Sequence, residues 1–202
     1  MKKRYLKLAG LILAASVSSL CAFSQSRQQA LAQKLIRLHV VAASDSPDDQ
    51  RIKLSVRDAI LSQAQALLQD APDAAQALHE NLPALTRAAN EALLAQGSED
   101  TARVTLQYEL FPTRRYETFR LPAGTYQTLR VCIGAGAGHN WWCVVFPALC
   151  LASGDGEFEA AAQKAGLTAG ELTLMTCEDE PVELEFWTLT QLEKLKKTLW
   201  GA

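Results

Sequence analysis

Histidine is scarce in this sequence: three in 202 residues, with no pair at zinc-finger spacing. His139 and Cys143 on an extended segment lie too far apart to chelate one ion easily, so no metal site is expected. The charge of one sign that nucleic-acid binding needs is also missing. The formal net charge is −2 and the isoelectric point near 5.9, and no basic stripe appears along the chain. No internal repeat and no low-complexity linker divides the body. Proline is sparse too, and aromatic residues make up only 7 % of the chain. Two of the four tryptophans nevertheless stand side by side.

Those tryptophans belong to the densest stretch of the chain, Gly134 to Cys150, GAGAGHNWWCVVFPALC. Adjacent residues on a strand point to opposite faces, so one Trp can enter the core while the other faces outward. Val144, Val145 and Phe146 read as buried strand. Gly136 to Trp142 reads either as the entry to that strand or as a polar-aromatic recognition surface. The alternating glycines do not make a dinucleotide fingerprint. They open onto a β-prone run and not a helix, the third glycine position is absent, and no Walker lysine follows. No cofactor is expected.

Residues 1–26 read as a signal peptide or membrane anchor. Lys2, Lys3, Arg4 and Lys7 precede an apolar, uncharged run from Leu8 to Phe23. The run is short for a membrane span and carries several serines, which favours the export signal. Residues 27–202 then form one domain outside the cytoplasm, where disulfides are permitted. Four cysteines follow the signal, with three possible pairings. Cys143 with Cys150 would close a short loop over the apolar strand.

Leu35–Ala43 predicts a strand with Ile36, Leu38 and Val40 on one face and Arg37, His39 and Val41 on the other. A helix to about Gln69 follows, with Ser46 as N-cap, Pro47 at its first position and Asp49 completing a capping box. Ile52, Val56, Ala59, Ile60 and Leu67 form its inner face, and Asp49 can pair with Lys53 four residues on. A second helical region runs to Gln96, broken near Pro83 and re-capped by Asn81, with Leu78, Leu82, Leu85, Ala89 and Leu93 inward; Gly97 ends it. His79 there reads as solvated or capping. From Ala102 the period becomes two. Val104, Leu106, Tyr108 and Leu110 face inward, and returns at Tyr116–Leu121, Tyr126–Ile133 and Asn140–Phe146 predict an antiparallel meander. A short helix near Phe158–Ala165, a strand through Val182, Leu184 and Phe186, and a capping box at Thr190–Glu193 opening a last helix complete the reading. The fold class is α/β of the α+β type, a mostly antiparallel sheet with helices packed against it.

A thiol hydrolase is the sharper enzymatic possibility: Cys143 with His39 or His139, oriented by Asp45 or Asn140. Against it, Cys143 sits in an apolar strand run that would hold its thiol neutral.

Two segments carry a more specific signal. IRLHVVAASDS (Ile36–Ser46), continuing through Asp49-Gln50, Lys53 and Val56-Arg57-Asp58, resembles the N-terminal motif of the stage II sporulation protein R family. LPAGTY (Leu121–Tyr126), then Leu129-Arg130-Val131, Ile133-Gly134 and GHNWWCVVFP (Gly138–Pro147) through Cys150, resembles its second motif. Ala43 stands where the family often has asparagine. The resemblance implies a non-enzymatic signal of endospore-forming bacteria, secreted from the forespore into the septal intermembrane space. There it would activate a membrane-embedded aspartic protease that processes the sigma E precursor; an exported cell-wall hydrolase or wall-binding module is the alternative. On this reading the turn after the first strand and the glycine-tryptophan loop lie close together and face the partner. The candidate residues are His39, Ser44, Asp45, Asp49, Gln50 and Arg57 from the first segment. Gly136, Gly138, His139, Asn140, Trp141 and Trp142 come from the second.

Overall fold

The computed structural model describes residues 2–116, 119–149 and 155–176. Its central element is β1 (Ile36–Val41), in which all six residues are buried. Ile36, Leu38 and Val40 enter one core, while Arg37 and His39 turn to the opposite face. A strand covered on both faces belongs inside a sheet, not at its edge. It does lie inside: the four-stranded order is β2-β5-β1-β6, with β2 at Ala102–Phe111, β5 at Gly124–Ile133 and β6 at Asn140–Phe146. β1 runs parallel to β5 and antiparallel to β6, and β2 is antiparallel to β5. The fold is α+β with a mixed, mostly antiparallel sheet.

This order corrects the meander. β5 and β6 are consecutive in the chain but not in the sheet, because β1 lies between them. Alternating patterns reveal strands but not their neighbours, and it is the double burial of β1 that demands one on each side. The return predicted at Tyr116–Leu121 is also different. β3 (Arg114–Arg115) and β4 (Arg120–Leu121) form a separate two-stranded ribbon.

Helices cover the aliphatic face. α2 (Pro47–Leu68) starts as its signals dictate, with Ser46 Oγ accepting from Asp49 N at 3.1 Å. Two side-chain expectations fail there. The Asp49 carboxylate takes the Ser44 hydroxyl, so the capping box is not closed, and Lys53 is buried and does not pair with Asp49. α3 (Ala74–Glu80) and α4 (Leu82–Ala95) follow; Asn81 makes no side-chain cap for α4 and donates instead to Ala77 O at 2.9 Å. Val56, Ile60 and Ala64 of α2 and Leu85, Ala89 and Leu93 of α4 pack on Leu38, Val40, Leu129, Val131 and Cys143. Each large aliphatic side chain so buried stabilises by about 1.5–3 kcal/mol.

The opposite face is covered unevenly. At one end Phe111, Tyr126 and Val144 pack with Leu31 and Leu35, the ribbon's Phe119 and Leu121, and Phe158, Ala162 and Met175. Phe158 and Ala162 lie on α5 (Asp155–Lys164) and Met175 on α6 (Ala169–Thr176). At the other end Arg130 and Cys132 are only half-buried and Asn140 is exposed. α1 runs unbroken from Lys2 to Gln33 across the predicted 26/27 boundary. Its last turn enters the second core at Leu31 and Ala32, while Leu11, Leu13, Leu20 and Phe23 stay exposed. No helix among the described residues is long and apolar enough to cross a membrane. The strand predicted through Val182–Phe186 and the helix from Thr190 lie outside the described residues.

With β1 between β5 and β6, the connection from Ile133 to Asn140 must cross the end of β1, and its glycines make that crossing possible. Gly134 and Gly136 have φ of +53° and +61°, where a side chain is strained. Gly138 N donates to Ala42 O at 3.0 Å, and a Cβ on Gly138 would collide with the Ser44 carbonyl. Gly138→Ala is therefore expected to destabilise by roughly 1–3 kcal/mol in urea unfolding. Gly97→Ala, with φ +71° but open space around it, should cost about 1 kcal/mol. Equal costs at the two positions would refute the close-packing role.

Candidate functional site

The glycine crossing seats one predicted segment on the other. His139 N donates to Asp45 Oδ1 at 2.6 Å, and His139 Nδ1 meets the same carboxylate oxygen. The hydrogen bonds from His139 hold the exposed Asp45 carboxyl below its ordinary range. Ser44 Oγ donates to Asp49, and Gln50 Nε2 donates to Ser44 O at 2.8 Å. Beneath them Lys53 Nζ donates to His139 O at 3.0 Å and to Gln50 Oε1 at 2.5 Å. Burial pushes the Lys53 ammonium down, against the pull of Asp45. Ser44, Asp45, Asp49, Gln50, Gly138 and His139 thus form one tip, pinned by a buried lysine.

The tryptophans diverge as adjacent strand residues must. Trp141 is 37 % exposed, with the Arg57 guanidinium 4.5 Å from its ring centroid. Arg57 is itself held by Asp58. This pair lies on the α2 side, beside the tip. Trp142 turns to the other face, under Arg114 at 3.7 Å and 5.6 Å from the His39 ring.

His39 faces away from the tip's outer surface. Its Nδ1 lies 2.7 Å from Glu109 Oε2 and its Nε2 2.9 Å from Asn140 Oδ1. Glu109 Oε1 accepts from Arg130 at 2.9 Å and Gln107 at 2.8 Å. Asn140, His39, Arg130 and Glu109 come from β6, β1, β5 and β2, so one polar chain ties all four strands. Both ring nitrogens of His39 are engaged internally, which leaves neither to act as a base toward a substrate. Burial works against the Glu109 carboxylate, yet hydrogen bonds from Arg130, His39 and Gln107 hold it below its ordinary range.

Cys143 cannot join this histidine. It is opposite Leu38 in the ladder and enters the helix-side core, on the face of the sheet away from His39. Cys21 and Cys132 are the free thiols among the described residues, and Cys143 is not one of them. No disulfide joins two described cysteines; Cys150, the partner predicted for Cys143, lies outside them. No cluster of metal-ligating side chains occurs among the described residues.

Sequence reasoning missed Glu109 and Arg37. Glu109 looked like one more solvated residue of an alternating strand. Arg37 is fully buried, with its guanidinium 3.9 Å from the Phe111 ring centroid and Nη2 donating to Tyr116 Oη at 2.5 Å. Among the described residues its Nε and Nη1 find no hydrogen-bond partner, and burial lowers its pKa.

The fold and this surface define a class first: an α+β domain with a pinned polar-aromatic tip and no thiol–imidazole pair assembled among its described residues. The family comparison is more specific. The model of the family described as stage II sporulation protein R matches residues 32–155, and the chain belongs to that family. It is 30 % identical over 150 residues to the stage II sporulation protein R of Bacillus subtilis (strain 168), covering 73 % of this chain and 67 % of that one. No solved structure matches.

The depressed carboxyl of Glu109 gives a pH prediction. A carboxyl whose folded pKa lies below its unfolded value of about 4.3 stabilises the fold above that value and loses the contribution as pH falls through the folded pKa. Glu109→Gln should lower stability near neutral pH by roughly 1–2 kcal/mol and flatten the loss on acidification. Urea unfolding across the acid range measures both, and an unchanged acid limb would refute the assignment.

Proposed function

We propose that this protein is an exported intercellular signal of endospore-forming bacteria, with residues 1–26 serving export and 27–202 forming the signalling domain. Secreted from the forespore into the septal intermembrane space, it activates a membrane-embedded aspartic protease, which then processes the sigma E precursor. Family membership supports the sporulation setting. The tip supports a role in recognition: a rigid group of polar side chains beside a partly exposed tryptophan is what a protein partner can grip. The partner-facing set is the tip, Arg57 and Trp141, with Gly136 shaping the loop. His39, Asn140 and Trp142 contribute from beneath by holding β6. A disulfide through Cys143 would secure that strand from the other face.

Trp141 carries the reading, because its ring is partly exposed beside the tip and meets Arg57 there. The test is co-expression of the chain with the candidate protease and the sigma precursor in a host that does not sporulate, scoring precursor cleavage. Trp141→Ala should abolish cleavage while leaving the domain folded, at a cost of about 1–3 kcal/mol from the lost ring burial and cation–π contact. Full activity in the variant, or loss of the folded protein, would place Trp141 outside the recognition surface. The hydrolase alternative gains nothing from the geometry, since Cys143 is buried in the helix-side core, across the sheet from His39, while His139 is exposed at the tip and held on Asp45.

A further inference from the structure

β2 is an edge strand with a long, regular ladder. It pairs with β5 continuously over ten residues, without a bulge or a proline, and among the described residues nothing occupies its outer edge. Tyr108 and Leu110, which share a parity with the inward-facing Val104, are 72 % and 80 % exposed, because the helical layer stops short of them. The backbone edge and the apolar side chains are therefore presented together.

The sequence of this strand is complementary to its own reverse. Residues directly opposite in an antiparallel pair share a face, so a twofold axis must pass through a residue and its copy. Placed at Leu106, the axis sets Ala102 opposite Leu110, Arg103 opposite Glu109, Val104 opposite Tyr108 and Thr105 opposite Gln107. Apolar meets apolar, polar meets polar, and a cation meets an anion twice, once on each side of the axis. Glu109 has capacity for this. Three hydrogen bonds reach it within its own chain, and a carboxylate has about four acceptor sites.

We infer that a second copy of this chain docks along β2, joining two four-stranded sheets through an antiparallel β2–β2 contact centred on Leu106. The contact covers Tyr108 and Leu110 and leaves both tips free on the far side of each sheet. It stands independently of the signalling role proposed above.

Sedimentation equilibrium of the full 202-residue chain over a wide concentration series tests it. A monomer–dimer equilibrium is expected, and Tyr108→Lys should raise the dimer dissociation constant about tenfold or more, since it removes two symmetry-related pairs. Arg103→Glu, exposed and harmless to the core, should weaken the dimer similarly by facing carboxylates with carboxylates. Oxidative cross-linking fixes the register: Leu106→Cys should cross-link to its own copy above the wild-type background from Cys21 and Cys132, and Tyr108→Cys should not. A chain that is monomeric throughout overturns the inference. So does association that both charge variants leave unchanged, the result expected if the exposed apolar residues of α1 drove it, and so does preferential cross-linking at position 108.

Discussion

The structure depends on one constraint, the burial of β1 on both faces. An interior strand needs a neighbour at each edge, and β5 and β6 supply them. Because those two follow one another in the chain, their connection has to pass over the end of β1, where β1 itself is turning into α2. Two loops are thereby forced into one volume. Glycine at 138 lets the crossing backbone lie on the Ser44 carbonyl, and the Asp45 carboxylate then finds the His139 amide and ring within reach. The tip is thus a consequence of strand order, and residues far apart in sequence meet there because β1 is central.

The same centrality explains the polar chain beneath the tip. A sheet face left partly open by its second layer admits charged groups, provided each is paired. Glu109 meets that requirement through three donors. Among the described residues Arg37 does not: it lies under the covered end of the same face, where ring contacts with Phe111 and Tyr126 and one bond to Tyr116 offset its burial only in part. A desolvated cation–π contact contributes about 2 kcal/mol, whereas taking an ion out of water costs several kcal/mol. Its aromatic surroundings favour arginine over lysine here, because a planar, weakly hydrated guanidinium stacks where an ammonium cannot.

Much of this was legible in the residues. Ser46 and Pro47 start α2 where their chemistry places them, and the alternation in β1, β2, β5 and β6 marks each strand to within two residues. The opposed tryptophans follow from the period of two. Strand order was not legible, since alternation carries no neighbour information, and neither was the exposure of Tyr108 and Leu110, which depends on where the helical layer ends. One missed element had a readable signal. Thr168 and Glu171 form a reciprocal capping box, Thr168 N to the carboxylate at 2.7 Å and Glu171 N to the hydroxyl at 3.3 Å, and that pattern of threonine and glutamate three apart announces α6.

Register also sets which side chains Cys143 can meet. In the β1–β6 ladder Leu38 stands opposite Cys143 and His39 opposite Trp142. Shifting that ladder by a single residue would bring the cysteine to the face of the imidazole, because side chains alternate with period two. The observed register is held by apolar demand on one face, where Leu38 and Cys143 join the helical core, and by His39 reaching Asn140 on the other. The irregularity in the ladder falls between Ile36 and Arg37, at the far end from the tip, so it leaves this arrangement intact. Cys143 and His39, which the sequence offered as nucleophile and base, are separated by the thickness of the sheet. What the fold brings together instead, at the crossing of two loops, is Asp45 with His139 and Ser44 with Asp49 and Gln50.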